Sequence, residues 1–293
     1  MPEPIKVTVY NDPGCPWAYS AVPALRVIDW RYGDQLDWHL VLIGLAERGE
    51  QYVERGYTPV WMAQAYVKFG RYGMPFSTTP RSRVLGTGRA CRAIAAARFL
   101  EPGTEWLAFR ALQLAWFTTQ LLLDEDEGIL AALSTTSGID AKAVVAHIED
   151  PQVEAAYTRD HAETRTAAGS ATELQGKAAQ TGGHVRYTAP SLVAEKGGVR
   201  LEAGGFQPVQ AYDAIVANVD QTLARADAPE TPEPLFERFP EGLTTQEVAA
   251  LLTQGNDEPD AQAAQIALLE LVEGDTIRRV DLGDSALWLP AAA

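Results

Sequence analysis

The sequence predicts an α/β fold carrying a large helical insertion, followed by a small separate unit at its C-terminal end. Three observations carry this reading. Strand, helix and strand are signalled in turn within residues 5–43. The β signal then vanishes over about residues 52–181 and returns as a hairpin from Pro190 to Leu201. An acidic, proline-rich stretch, Asp227–Pro234, sets residues 235–293 apart from residues 1–226.

Ile5–Tyr10 (IKVTVY) is rich in β-branched residues and reads as the first strand. The turn formers Asn11, Asp12, Pro13 and Gly14 follow. Cys15-Pro16 then opens an apolar periodic stretch through Trp17, Val22, Leu25, Ile28 and Trp30, predicting a helix over about 16–31 with proline in its first turn. Leu36–Ile43 reads as the second strand. Within the insertion, Arg89–Leu100 and Glu105–Leu123 are strongly helical, Asp140–His147 follows a turn over 134–138, and Pro151 opens another helix. Pro190–Ala194 and Val199–Leu201, joined by Gly197-Gly198, predict a β-hairpin, and Val209–Leu223 an amphipathic helix. In the last unit Thr244 or Thr245 caps a helix through Leu252, with Glu247 supplying the acid of a capping box. A second helix over about 260–272 and a ribbon over 276–289 complete the order helix, helix, ribbon, which resembles a winged helix.

Composition narrows the function classes. The chain has 293 residues, 46% hydrophobic and 22% charged, as an ordinary globular protein does. A net charge of −15 disfavours nucleic acid and anionic membrane surfaces as partners. From Asp227 onward there are 14 acids and three arginines, and the helix over 260–273 has no Lys or Arg, so the last unit is expected to pack against protein rather than read DNA, around a core of Leu268, Leu269, Leu271, Val272 and Trp288. No run of 18 apolar residues predicts a membrane span, and Met-Pro-Glu-Pro runs directly into the first strand without a leader pattern. The expected placement is cytoplasmic, where thiols stay reduced. Two cysteines, Cys15 and Cys91, exclude a disulfide framework; the spacing of His39, His147, His161 and His184 suggests no metal site.

Cys15 carries the chemistry. A cysteine that follows a strand and precedes a helix faces free N–H groups and a partial positive charge, which favour thiolate. Pro13, Gly14 and Pro16 stiffen the loop, and the sulfur is expected to be accessible with a pKa below about 8.5. The competing reading is a small buried hydrophobe.

Asp12-Pro13-Gly14-Cys15-Pro16-Trp17-Ala18-Tyr19 resembles the D-P-x-C-P-W-C-Y active-site motif of the DsbA family of thioredoxin-fold proteins, in particular its cytosolic FrnE-like branch. The resemblance spans about residues 5–225 and implies a thioredoxin fold with the helical insertion at about 52–181. It places Thr188-Ala189-Pro190-Ser191 where the family carries its cis-proline, so that Ala189 offers backbone groups to a substrate sulfur beside Cys15. Pro16, Trp17, Ala18, Ala189 and Pro190 are the substrate-binding residues it implies. Gly204–Pro208 resembles the family's approach to its last helix.

Ala18 stands where the family has its second cysteine. A dithiol oxidant closes a disulfide within C-x-x-C, and Cys15 alone cannot do so. The expected function is a thiol oxidoreductase with a single active-site cysteine, working with a low-molecular-weight thiol of glutathione or mycothiol type and no tightly bound cofactor. Cys15–Ala21 also resembles the S-P-Y-A-Y-x-A segment of 2-hydroxychromene-2-carboxylate isomerases and kappa-class glutathione transferases, so an isomerase or transferase stays open, as does a non-catalytic binding protein. A homodimer is compatible with each. Cys91, in an alanine-rich helix, is either a distant resolving thiol or a buried small residue; a bridge needs Cα atoms within about 7 Å. Arg81, Arg83 and Arg89 could bind a carboxylate of a tripeptide thiol or form a solvated face, and Trp61, Tyr66, Phe69, Tyr72 and Phe76 line either an aromatic cleft or a core.

Overall fold

The computed structural model describes residues 3–181 and 183–291. The chain opens with β1 (Ile5–Asn11), α1 (Pro16–Ser20), α2 (Val22–Tyr32) and β2 (Leu36–Leu42). The helix expected over 16–31 is thus two helices. Pro23 has no N–H to donate to the Tyr19 carbonyl and its ring crowds that oxygen, so the chain breaks at Ala21 and restarts with Pro23 in the first turn.

Between β2 and the next strand of the main sheet lies the insertion: α3 (Glu50–Val53), α4 (Pro59–Phe69), α5 (Gly88–Leu100), α6 (Glu105–Thr118), α7 (Asp126–Leu133), α8 (Ala141–His147), α9 (Pro151–Glu163) and α10 (Ala171–Leu174). α5 is the hub. Ala90, Cys91, Ala93, Ala95, Ala96 and Ala97 are buried, and these small side chains let α6, α8 and α9 pack closely around it. α6 stops at Thr118 rather than continuing to Leu123, because the Thr118 and Thr119 hydroxyls bond the carbonyls of Leu114 and Ala115 and Thr119 turns extended. Arg98 ties the insertion to the sheet: it donates to Asp160 at 2.8 Å and to the Leu40 carbonyl at 3.1 Å. A short hairpin that the sequence did not signal, β3 (Ala179–Thr181) with β4 (His184–Arg186), closes the insertion and places His184 on a strand rather than in a loop.

The main sheet is completed by β5 (Ser191–Lys196) and β6 (Val199–Gly204) and backed by α11 (Val209–Val219). Its order is β2-β1-β5-β6, with β1 parallel to β2 and antiparallel to β5. The register pairs Tyr10 with Ser191, so the C-terminal end of β1 meets the segment just before β5. Ile5, Val7 and Val9 face α2 and α11 through Ile28, Tyr32, Tyr212 and Val216.

The last unit comprises α12 (Glu233–Arg238), β7 (Leu243–Thr244), α13 (Thr245–Leu252), α14 (Ala261–Glu273), β8 (Ile277–Leu282) and β9 (Ser285–Pro290), with strand order β7-β9-β8. The Thr244–Glu247 capping box is present. Leu268 and Trp288 are fully buried, with Leu271 and Val272 partly so; Leu269, expected in this core, is 48% exposed because it lies on the outer side of α14. The unit packs on α2: Val27 joins Leu235, Phe236, Phe239 and Trp288 in one cluster. At the seam Glu247, fully buried, accepts from Arg110 at 2.7 and 2.9 Å and from Arg26 at 3.3 Å. No helix among the described residues is long and apolar enough to cross a membrane.

Candidate functional site

The site grows from the turn between β1 and α1. Asp12 is fully buried and organises it. One carboxylate oxygen accepts the Gly14 amide at 2.9 Å; the other accepts the Leu45 amide at 2.8 Å and the Thr87 hydroxyl at 3.0 Å, with the Cys91 sulfur 3.9 Å away. Burial pushes the Asp12 carboxyl up from its ordinary range, against the pull of those donors. Gly14 fits because a Cβ there would sit 2.6 Å from Thr87 and 2.9 Å from Trp116.

Cys15 is the N-cap of α1, with extended backbone and Pro16 following it. The Ala189–Pro190 peptide is cis, and Cys15 Sγ donates to the Ala189 carbonyl at 3.2 Å. Ala189 and Pro190 are buried. The site residues expected from sequence thus come together, but two expectations are corrected. The sulfur is not accessible: Cys15 is 6% exposed, beneath a cluster that includes Val41, Ile43, Ala167, Tyr187 and Ala189. Its pKa is not lowered. Burial pushes the thiol up to about 12; the Ala18 and Trp17 amides at the helix N-terminus pull it down, as anticipated, and the Asp12 charge pushes it further up. Desolvation of the thiolate outweighs the helix end.

Ala18 is fully buried behind Cys15, and Pro16 is half-buried. Trp17 is 41% exposed and forms an aromatic rim with Phe69 (ring centroids 4.8 Å apart), Phe206 (5.6 Å) and Tyr72 (5.7 Å). The sequence grouped Phe69 and Tyr72 with Tyr66, Phe76 and Trp61; the fold divides them between rim, core and surface, with Phe69 touching both Trp17 and Phe76. Tyr66 and Phe76 pack in the core with Tyr19 and Phe117, and Trp61 lies outside against Tyr57. Phe206, distant in sequence, is the rim member the sequence did not reveal.

No family model matches the chain, and no curated protein matches it. Solved structures do. A "putative protein disulfide isomerase" from Nitrosomonas europaea shares 17% identity over 75% of this chain and 98% of its own, with a TM-score of 0.57. A "probable DsbA oxidoreductase" from Streptomyces coelicolor shares 18% identity over 76% of this chain and 94% of its own, with a TM-score of 0.51. The chain has the DsbA-like thioredoxin fold.

Within this DsbA-like fold the two cysteines are both free and buried. Cys91 lies inside α5 with its sulfur towards Asp12, and burial raises its thiol well above the ordinary value. The arginines at 81, 83 and 89 are engaged. Arg81 donates to the Trp116 and Thr119 carbonyls, Arg83 pairs with Asp124 and Glu125, and Arg89 with Asp126 and Glu149. A different cationic group flanks the Cys15 turn. Arg186, on β4, is coupled through its charge to Asp12, Cys15, Tyr52, Arg55 and Arg165. These arginines come from the ends of α3 and α9 and from β4, elements far apart in sequence, and no local pattern announces them. His39 pairs with Asp37 on the surface and His147 bonds the Ala143 carbonyl; His161 and His184 line a cleft with Arg55 and Arg165.

Proposed function

We propose that the protein is a thiol oxidoreductase in which Cys15 is the single redox sulfur and a low-molecular-weight thiol is its co-substrate. The observation that carries this reading is the pairing of Cys15 Sγ with the Ala189 carbonyl at the N-terminus of α1, with fully buried Ala18 in the place of a resolving cysteine. In the resting state the thiol is protonated and covered. A substrate sulfur that takes the place of the Ala189 contact leaves the Ala18 and Trp17 amides as the groups that stabilise the thiolate. The Cys15 thiolate then attacks one sulfur of a substrate disulfide. The new S–S bond forms as the old one breaks, and the leaving sulfur departs as thiolate. A low-molecular-weight thiolate attacks the mixed disulfide in turn, is itself left in a disulfide, and returns Cys15 reduced. Protein and cofactor-free co-substrate thus balance the electrons, and cytoplasmic placement supplies the reduced thiol. The acidic C-terminal unit serves packing, and nucleic acid is not its partner.

Cys91→Ser protein incubated with glutathione disulfide is expected to gain one glutathionyl adduct, mapped by mass spectrometry to Cys15 and removed by added thiol. The absence of any adduct at pH 8 over hours, with the fold intact, overturns the redox reading. The aromatic rim of Trp17, Phe69, Tyr72 and Phe206 favours a second reading, in which Cys15 positions a thiol for transfer to, or isomerisation of, a small aromatic substrate. Turnover of such a substrate that requires thiol but leaves no Cys15 adduct would select it.

A further inference from the structure

A cleft of about 630 Å³ opens between the loop after β2, α3 and the C-terminal end of α9. Its size suits a small-molecule ligand. In a chain of net charge −15 its polar lining is cationic or neutral with one exception: Arg55, Arg165, His161, His184 and Gln51, and the carboxylate of Glu47. That carboxylate is already engaged, by Arg92 at 2.6 Å and the Tyr157 hydroxyl at 3.3 Å. Arg165 is held in place rather than waving in solvent. Its Nη1 donates to the carbonyls of Ile43 and His161 and to the Thr164 hydroxyl, at 3.1, 2.9 and 2.8 Å. All three acceptors are neutral, and neither Arg165 nor Arg55 has a carboxylate partner among the described residues.

The cleft adjoins Cys15. Leu45, which lines it, gives its amide to Asp12 and packs in the cluster that covers the Cys15 sulfur. Arg186 is coupled electrostatically to both, to Cys15 and to the cleft's Arg55 and Arg165. Burial and the charge of Arg186 lower Arg165, and burial with the charges of Arg165, Arg92 and Arg186 lowers His161 against the opposing pull of Glu47.

We infer that this cleft is the recognition site for the carboxylate end of the thiol co-substrate, so that the protein selects an acidic thiol or disulfide, such as a tripeptide bearing carboxylates, over a neutral sugar-based one. The inference rests on the redox reading of Cys15. Guanidinium groups recognise carboxylates through charge-assisted, bidentate hydrogen bonds, and Arg165, held by neutral acceptors, and Arg55, over the Tyr52 ring, gain them without breaking existing ion pairs. A neutral thiol would leave that charge uncompensated in a partly desolvated cleft.

The test compares three disulfides of differing charge on Cys91→Ser protein: glutathione disulfide, bis(2-hydroxyethyl) disulfide and cystamine. Rates of Cys15 adduct formation are followed by mass spectrometry. The anionic disulfide is expected to react fastest and cystamine slowest, with a preference that shrinks as salt is raised. In Arg165→Gln and, separately, Arg55→Gln, the ratio of the anionic to the neutral rate is expected to fall about tenfold, the scale of one hydrogen bond to a charged group. Ratios that are flat across the three probes, or unchanged in both variants, overturn the cleft and leave the redox reading standing. Binding of S-methylglutathione, which has the carboxylates but no thiol, is measured by calorimetry alongside. Binding that weakens about tenfold in Arg165→Gln supports the cleft even with Cys15 inert; no detectable binding together with an inert Cys15 overturns both.

Discussion

The Cys15 thiol donates to the carbonyl of Ala189 across 3.2 Å, joining the start of α1 to the segment that leads into β5. The two residues lie far apart in sequence, and the pairing of Tyr10 with Ser191 in the sheet sets the distance between them. The bond caps the sulfur in its protonated form, since a thiolate has no proton to donate to a carbonyl.

The first expectation is therefore kinetic. With the Cys15 thiol pushed up to about 12 by burial, alkylation by iodoacetamide should keep accelerating through pH 10 without a plateau. Stability follows the same equilibrium. The folded-state pKa lies above the unfolded value of about 8.5, so the stabilisation is complete below that pH and declines as pH rises towards 12. Cys15→Ala should flatten this alkaline decline in denaturant melts. An alkylation plateau below pH 8.5 would contradict the burial argument.

Asp12→Asn separates stability from reactivity. Both Asp12 oxygens accept main-chain amides, from Gly14 and Leu45, and the side-chain amide of Asn can serve only one of them. The other is left facing an N–H₂ group, at a cost of about 1–3 kcal/mol. The same change removes a negative charge that raises the Cys15 thiol, so alkylation at pH 9 should quicken as melting falls. A variant that is both less stable and slower to alkylate would show that Asp12 acts on Cys15 through loop shape rather than charge.

Ala18→Cys restores the C-x-x-C spacing at a fully buried position behind Cys15. It should form an internal disulfide and raise insulin-reduction activity about tenfold or more in a Cys91→Ser background, because a second sulfur now resolves the mixed disulfide within the same chain. Comparable dithiol turnover by Cys91→Ser protein with Ala18 intact would mean that resolution does not need this position.

Glu247 reports on the seam between the C-terminal unit and the rest of the chain. Burial alone would raise its carboxyl; Arg110 and Arg26 hold it down at about 2 instead. The folded value lies below the unfolded one of about 4.3, so this stabilisation is present above pH 4.3 and is lost as pH falls towards 2. Glu247→Ala should cost about 3–5 kcal/mol, since it strands buried guanidinium charge. Early proteolytic cleavage in the stretch 220–232 is the expected sign that the unit has come away; an unchanged melting temperature would remove the ion cluster from the account of the seam.

Local chemistry made much of this molecule readable from its sequence. Turn formers followed by Cys15-Pro16 specify the N-terminus of a helix, Thr244 and Glu247 a capping box, and Pro190 with Gly197-Gly198 a β-hairpin, because each is decided by residues within a few positions of one another. The break at Ala21 was equally local, written in Pro23. Ala18 in place of a second cysteine was legible from the start, and it limits the chemistry whatever the surroundings. What the tertiary structure decided is the state of the sulfur. Burial sums over neighbours such as Val41, Ala167, Tyr187 and Ala189, drawn from separate elements, and it reverses the pKa shift that the helix end alone predicts. The same holds for cationic groups. Arg81, Arg83 and Arg89, close in sequence, are dispersed onto partners of their own, whereas Arg55 and Arg165, far apart in sequence, line one cleft only once the insertion is folded. Short-range patterns fix backbone conformation; electrostatics and solvation are set by whichever side chains the fold brings within a few ångströms.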